Sequence, residues 1–366
     1  MRVLYLVNAS QIGGGNRSLQ TLWQAIGNSS VEALAVCPSD GPMVELCRGM
    51  AVPVKVFAYA QPSWQHPITT LNAYLRWRRL LLECKPDIVH ANDFSNARSV
   101  AIAAWSLQLP LVCHVQFHAS ESYLRWVFRF LPKPSAFIYN SHATLALCQP
   151  VLKEVCPHSR HVLVHNCVDT AVFKKHRHRV GTEGPRVGIV GNLIAIKGHR
   201  DFLEMARILT RQGIRAEYWI VGEDIHGIGY RRELEQSTDV LGLKDRVKFF
   251  GFRTDVRELL QQIDVLVVAS HEEPFGIVSV EGMACEIPVV GTRVGGIPEV
   301  IEDGVTGFVV APRSPHELAS KVAVLLGNLE LRRRMGTKGR ARAEHLFSSQ
   351  THARRIISLY SELLTR

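Results

Sequence analysis

Short, continuous apolar runs separated by longer stretches of helical periodicity organise this chain. In the first half the runs fall at residues 3–7, 33–37, 52–57, 87–90, 111–115, 136–139 and 161–164; in the second at 186–191, 216–222, 247–250, 264–268 and 287–291. Runs of four to seven residues without polar alternation mark strands buried on both faces, and their regular interleaving with amphipathic stretches predicts an α/β protein with doubly wound parallel sheets. A helix is expected over 71–82, another from about Ser18, and helices throughout 314–366, the last presenting Ile356, Ile357, Leu359, Tyr360, Leu363 and Leu364 on one side. At 366 residues the chain exceeds what one core supports, so two domains are expected. The stretch KKHRHRVGTEG, Lys174 to Gly184, is polar and basic and reads as their connection. The division expected is therefore 1–174, a linker at 175–185, and a second domain from 186.

Composition adds three constraints. No run approaches the ~18 apolar residues of a membrane span, and residues 1–7 read as a first strand rather than a leader, so a cytoplasmic protein is expected. The eight cysteines are scattered, with no C-x-x-C pair, and read as reduced, buried small hydrophobes; no metal and no other cofactor is expected. The net charge of +10 is concentrated in the first half: residues 1–175 carry 16 Lys and Arg against 9 Asp and Glu. Such a basic face suits nucleic acid, anionic lipid headgroups or phosphorylated acceptors, or is merely a soluble surface; of these partners nucleic acid is the one not expected. Two stretches, 71–82 and 123–133, mix tryptophan or phenylalanine with arginines. Each reads either as an interfacial segment for peripheral docking on a membrane or as an ordinary helix with its charges in water.

The candidate chemistry concentrates in DVLVVASHEEPFGIVSVEGMACEIPVVGTRVGGIPEVIEDGVTGF, residues 264–308. A strand ends there, Pro274 breaks the chain, and a helix begins, so the backbone N–H groups of Gly276, Ile277 and Val278 lie at a helix N-terminus, where the dipole favours a phosphate. Glu273 precedes that start and Glu281 lies within the helix. A carboxylate beside a phosphate would be repelled, so both are better suited to accepting hydrogen bonds from sugar hydroxyls. Together these features point to a nucleotide sugar.

The segment Glu273-Pro274-Phe275-Gly276-Ile277-Val278-Ser279-Val280-Glu281 resembles the E-x7-E signature of the family-four retaining glycosyltransferases. Further resemblances follow in order. Gly191-Asn192-Leu193-Ile194-Ala195-Ile196-Lys197-Gly198 is similar to that family's G-R-L-x-x-x-K-G loop, with Asn192 in place of arginine; Gly295-Gly296-Ile297-Pro298-Glu299 is similar to its G-G-x-x-E turn. In the first half, Asn140 to Thr144 resembles its S-x-x-T turn, and Asn166-Cys167-Val168-Asp169 its N-G-V-D segment. Cys167 there replaces glycine, which would strain a left-handed turn. Glu286 likewise replaces a glycine after Met-Ala-Cys.

The resemblance implies the GT-B fold, two Rossmann-like domains facing each other across a cleft, with a C-terminal helix, 346–366, returning to the first domain. It implies a sugar donor such as a UDP- or GDP-sugar and an acceptor hydroxyl on a glycan or lipid-linked molecule, as in bacterial polysaccharide or lipopolysaccharide synthesis. By the same resemblance Glu273 meets the donor sugar, Glu281 the ribose, Lys197 the diphosphate, and Phe252 or Arg253 the base unless those side chains serve packing. Gly14 and Gly15, in the glycine run Gly13-Gly14-Gly15-Asn16-Arg17-Ser18, would lie near the donor phosphate. That run departs from the dinucleotide pattern G-x-G-x-x-G at Ser18, which weighs against a dehydrogenase. A strand-end histidine is also implied; His118 is the choice, with His114 and Gln116 as alternatives. Two rival functions stay open: a nucleotide-sugar epimerase on the same fold, and a non-catalytic sugar-nucleotide-binding protein.

Overall fold

The computed structural model describes residues 1–7, 13–27, 29–175, 184–225 and 227–365. These residues form two compact units, Met1–Cys167 with Ser349–Arg366, and Val168–Ser348.

The first unit is a parallel sheet of β1 (Arg2–Leu6), β2 (Glu32–Cys37), β3 (Val54–Val56), β4 (Ile88–Ala91), β5 (Leu111–Val115), β6 (Ala136–Tyr139) and β7 (Arg160–Leu163), in the order β3-β2-β1-β4-β5-β6-β7. Strands β4, β5 and β6 are buried at every residue, which is why they read as unbroken apolar runs. One core layer gathers Trp77, Phe94, Val100, Phe128 and Phe137; the other gathers Tyr5, Trp23, Ile356 and Tyr360. The helix Ser349–Leu364 thus supplies part of this unit's own core, through Ala353, Ile356, Leu359, Tyr360 and Leu363. Tyr360 Oη bonds His90 Nδ1 at 2.5 Å and Tyr5 Oη at 3.3 Å, and His352 Nδ1 lies 2.7 Å from the His165 carbonyl. Burial holds His90 and His352 neutral, depressing them to about 3 and about 4.

The second unit is a parallel sheet of β8 (Arg186–Val190), β9 (Glu217–Val221), β10 (Val247–Gly251), β11 (Val265–Val268), β12 (Val289–Thr292) and β13 (Gly307–Val310), in the order β10-β9-β8-β11-β12-β13. The last strand, GFVV, is not expected from the sequence pattern, because only four residues follow a glycine-bounded turn.

The division falls at 167/168 rather than in the basic stretch 174–184, of which 176–183 lie outside the described residues. The reason is a set of backbone ties. Val168 N–H bonds Phe347 O at 3.0 Å, and Arg340, on helix Leu329–Leu346, donates to the carbonyls of Thr170 and Phe173. Cys167 is buried and is not among the residues with positive φ, so the expected strain is absent there. Strain appears instead at Glu286, whose φ of +58° puts a side chain where glycine is favoured. Its carboxylate reaches Lys175 at 2.8 Å.

All eight cysteines are buried, and none forms a disulfide. Among the described residues, no helix is long and apolar enough to cross a membrane.

Candidate functional site

In an open parallel sheet, loops leave in opposite directions where the strand order reverses, and ligands bind beyond the carboxyl ends of the strands at that point. In the second unit the reversal lies between β8 and β11. The loop after β8 carries Asn192 and Lys197; the loop after β11 carries Glu273 and Gly276. These are the residues singled out in the sequence, and the fold brings them together: Lys197 Nζ lies 2.6 Å from Glu273 Oε2, with the two side chains 26% and 12% exposed.

Glycine makes this approach possible. Gly198 has φ of +72°, and a Cβ there would sit 1.9 Å from the Ala269 carbonyl oxygen, so the two loops touch backbone to backbone. Gly296, in the turn after β12, abuts Phe275 Cα with room for no side chain, and its N–H donates to the Glu273 carbonyl at 3.1 Å. The Glu273 loop is therefore held from both neighbouring strands. Ser270 Oγ lies 3.5 Å from Glu273 Oε2, and Thr292 Oγ1 bonds the Ser270 carbonyl at 2.5 Å.

The helix Ile277–Ala284 starts at Gly276, whose φ of +90° turns the chain sharply out of the loop. The N–H groups of its first turn thus point away from the helix beside the Lys197–Glu273 pair. Glu281 is 3% exposed in the body of this helix. Burial together with the Glu281 charge pushes the Cys285 thiol up to about 12, so that cysteine is inert.

Three expected residues look different in place. Asn192 is exposed beside Gly191. Phe252 is 70% exposed in the loop after β10, which overturns the packing alternative for that ring. Arg253 is engaged by Asp255, through Nε–Oδ1 at 2.7 Å and Nη2–Oδ2 at 2.5 Å.

In the first unit the reversal lies between β1 and β4. The helix begins at Gly14, not near Ser18, so Gly14 and Gly15 occupy its first turn; residues 8–12 before it lie outside the described residues. A Cβ on Gly15 would stand 3.2 Å from the Gln116 side chain. Gln116, at the end of β5, is the hub of an amide network: its Nε2 donates to Asn92 Oδ1 at 3.2 Å, and its Oε1 accepts from Asn166 Nδ2 at 3.1 Å. Asn92 Nδ2 in turn donates to Asn16 Oδ1 at 3.1 Å, and Asn140 Nδ2 reaches the Gln116 carbonyl at 3.3 Å. His114 is 3% exposed in the core, its ring 5.5 Å from that of His90. His118 is half-buried two residues past Gln116. Of the three strand-end alternatives, Gln116 is the one packed on the glycine run. The Asn140–Thr144 turn proves to be a helix cap, Ser141 Oγ accepting from Thr144 N at 3.0 Å.

Comparison with known proteins bears on the family and the fold. The profile described as "Glycosyltransferase Family 4" matches residues 12–172, and that described as "Glycosyl transferases group 1" matches 172–342. The chain belongs to this glycosyltransferase family. A crystal structure of Anabaena Alr3699/HepE in complex with UDP and glucose has a TM-score of 0.83 to it at 25% identity, over 99% of each chain. The N-acetyl-alpha-D-glucosaminyl L-malate synthase of Bacillus anthracis is 32% identical over 209 residues, 55% of this chain and 53% of that protein. The chain thus spans about half the length of that curated relative. A glycogen synthase of Mycobacterium tuberculosis is 26% identical over 384 residues, 95% of this chain and 91% of its own.

The sequence did not point to His271 and Asp201, which form a close side-chain contact next to Lys197 and Glu273, with Nε2 2.7 Å from Oδ2. A histidine in the strand-end loop was the available signal, but its partner lies 70 residues earlier.

Proposed function

We propose that this glycosyltransferase moves a sugar from a nucleotide-diphosphate donor, a UDP-sugar in the first instance, to an acceptor hydroxyl with retention of configuration. The observation that carries this reading is the meeting of Lys197 and Glu273 at the second sheet's reversal point, beside the N-terminus of Ile277–Ala284. A UDP donor is favoured by the UDP and UDP-glucose held by the HepE protein.

As the glycosidic bond breaks, negative charge grows on the departing diphosphate. Lys197 and the N–H groups of Gly276, Ile277 and Val278 are fixed donors for that charge, in place before the reaction begins. Glu273 then accepts from a sugar hydroxyl and Glu281 from the ribose, while Asn192 lends a neutral donor where arginine is usual in the family. Exposed Phe252 stacks on the base, with Arg253 at its edge. On the first unit, Gly14 and Gly15 allow close ligand approach, and His118 or Gln116 orients a hydroxyl.

Calorimetry with UDP-glucose, GDP-mannose and UDP, followed by transfer assays over an acceptor panel, tests the reading. Turnover of the nucleotide sugar without acceptor would mark an epimerase. Binding without turnover across the panel would mark a non-catalytic binder.

The acceptor we propose is a glycan or lipid-linked molecule used in cell-surface glycan assembly, met at an anionic membrane face. What favours the membrane is one surface of the first unit. Trp64, Ile68 and Phe130 are 75%, 76% and 68% exposed, and Trp64, Leu71, Tyr74 and Phe130 line a groove of about 280 Å³. Phe130 stands outward from a left-handed backbone, φ +59°, with the Arg129 guanidinium 4.8 Å from its ring centre. Residues 46–82 contain no Asp or Glu but carry Arg48, Lys55, Arg76, Arg78 and Arg79. The 123–133 stretch contributes less than its sequence promises: Arg125 is bound to Glu121 and Glu154, and Leu124, Val127 and Phe128 are core. Sedimentation with anionic vesicles should fall when Trp64 and Phe130 are both replaced by alanine; unchanged sedimentation would remove this surface from the proposal.

A further inference from the structure

The Lys197–Glu273 ion pair poses a mechanical problem once a donor arrives. If the proposed function is right, Lys197 Nζ must leave Glu273 for the diphosphate, and Glu273 must turn to the sugar, so the 2.6 Å bond between their loops is lost in the complex. Something else has to keep the two loops in register while those side chains exchange partners.

The structure holds a second link parallel to the first. Asp201 lies four residues after Lys197, in the first turn of helix His199–Arg211, and His271 lies two residues before Glu273. Their side chains meet at 2.7 Å, Nε2 to Oδ2, and are 20% and 19% exposed, so the contact is largely shielded from water. The His271 backbone N–H donates to the Ile196 carbonyl at 2.7 Å, next to Lys197. With the backbone contact of Gly198 on Ala269, this makes three ties between the loops that do not use Lys197 or Glu273.

We infer that His271 and Asp201 are a positioning pair for the donor reaction: they hold the lysine loop and the glutamate loop at fixed separation while Lys197 and Glu273 transfer to the diphosphate and the sugar. The pair touches neither phosphate nor sugar, and acts through the two residues that do. This inference rests on the proposed donor site. The imidazole donates through Nε2–H and the carboxylate accepts, so a glutamine at 271, whose Nε2 donates from a similar reach, preserves the link, whereas alanine severs it.

The test uses the full chain and measures the Kd for UDP and for UDP-glucose by calorimetry, the melting temperature, and transfer rates. His271→Ala and Asp201→Ala should each weaken UDP-glucose binding by about tenfold, the scale expected when a donor is misplaced by a fraction of an ångström. The double variant should lose no more than either single one, because both remove the same link. His271→Gln should return the Kd to within about threefold of the starting value. The melting temperature should stay within about 3 °C in all four, since one partly exposed polar contact is lost. Wild-type affinity in His271→Ala overturns the inference, as does a loss in His271→Gln equal to that in His271→Ala. Lys197→Ala separates the two levels: if it binds UDP normally, the donor-site reading fails; if it binds weakly while His271→Ala is normal, only the positioning role fails.

Discussion

The two reversal points of this protein are built from different materials. In the second sheet the loops meet through charge and bare backbone: Lys197 on Glu273, Gly198 on Ala269, Gly296 on Phe275. In the first sheet they meet through neutral amides, with Asn16, Asn92, Asn140 and Asn166 linked directly or in turn to Gln116. A diphosphate is the same in every nucleotide sugar, so a rigid, charged cradle suits it. Hydroxyls on an acceptor vary in position, and amides that both donate and accept can follow them. Under the proposed function, the charged loops of the second unit would meet the constant diphosphate and the amides of the first unit the variable acceptor.

The largest effect is expected from removing charge at the second reversal point. Glu273→Ala should lower kcat by about 10²–10³ with UDP-sugar affinity little changed, whereas Glu281→Ala should chiefly weaken UDP binding. Initial rates and calorimetry on both decide; unchanged values in both would take the glutamates out of the reaction. Gly198→Ala comes next. It combines a φ of +72° with a Cβ 1.9 Å from a carbonyl oxygen, and should cost about 3 kcal/mol or more by urea melt, with donor binding lost.

Acidification should weaken the first unit more than the second: burial lowers His90, His114, His161 and His352 in the first, and among the described histidines only His199, to about 4, in the second. His90 and His352 are neutral in the fold at about 3 and about 4, below an ordinary histidine, so the unfolded chain takes up protons first. Their contribution is complete above pH 6.5 and drains away as pH falls from there toward 4 and 3. Protection of the amides in Ser349–Leu364, taken relative to their intrinsic exchange rates, should therefore fall between pH 6.5 and 4 before that of β11, and a simultaneous fall would deny the histidines this role.

Gly15→Ala is the mild counterpart of Gly198→Ala. The helix gains about 1 kcal/mol in propensity, and the Gln116 amide, 3.2 Å away, can shift. Stability should hold while sugar transfer falls; unchanged transfer and unchanged UDP affinity together would take the glycine run out of the site. The smallest effect is expected from Glu286→Gly. Relief of the left-handed backbone, about 1 kcal/mol, is set against loss of the pair with Lys175, so the melting temperature should move by no more than a few degrees.

The same contrast explains what the sequence made legible. Lys197, Glu273, Gly276 and Glu281 stand out in the sequence as charges and a glycine at fixed spacings, and the fold gathers Lys197, Glu273 and Gly276 at one reversal point. The strands buried on both faces were visible for a similar reason, since β4, β5 and β11 tolerate nothing polar on either side except the histidines that the core itself absorbs. The amide hub was not legible, because Gln116 becomes a hub only through asparagines 24 and 50 residues away. The helix start at Gly14 was missed because glycine has poor helix propensity, and Gly15 is fixed by its contact with Gln116. The boundary at 167/168 was hidden too: basic composition marked 174–184, while the ties made by Val168 and Arg340 involve residues more than 160 positions away.

The helix Ser349–Leu364 gives the chain an order of assembly. The ribosome completes residues 168–348, a continuous segment with a sheet of its own, before the helix that carries Tyr360 to His90 has been made. Until then Tyr5, Leu19 and Trp23 line an open half-core. The first unit to be translated is therefore the second to be finished, and a nascent chain stalled within the second unit exposes an apolar face for as long as the stall lasts.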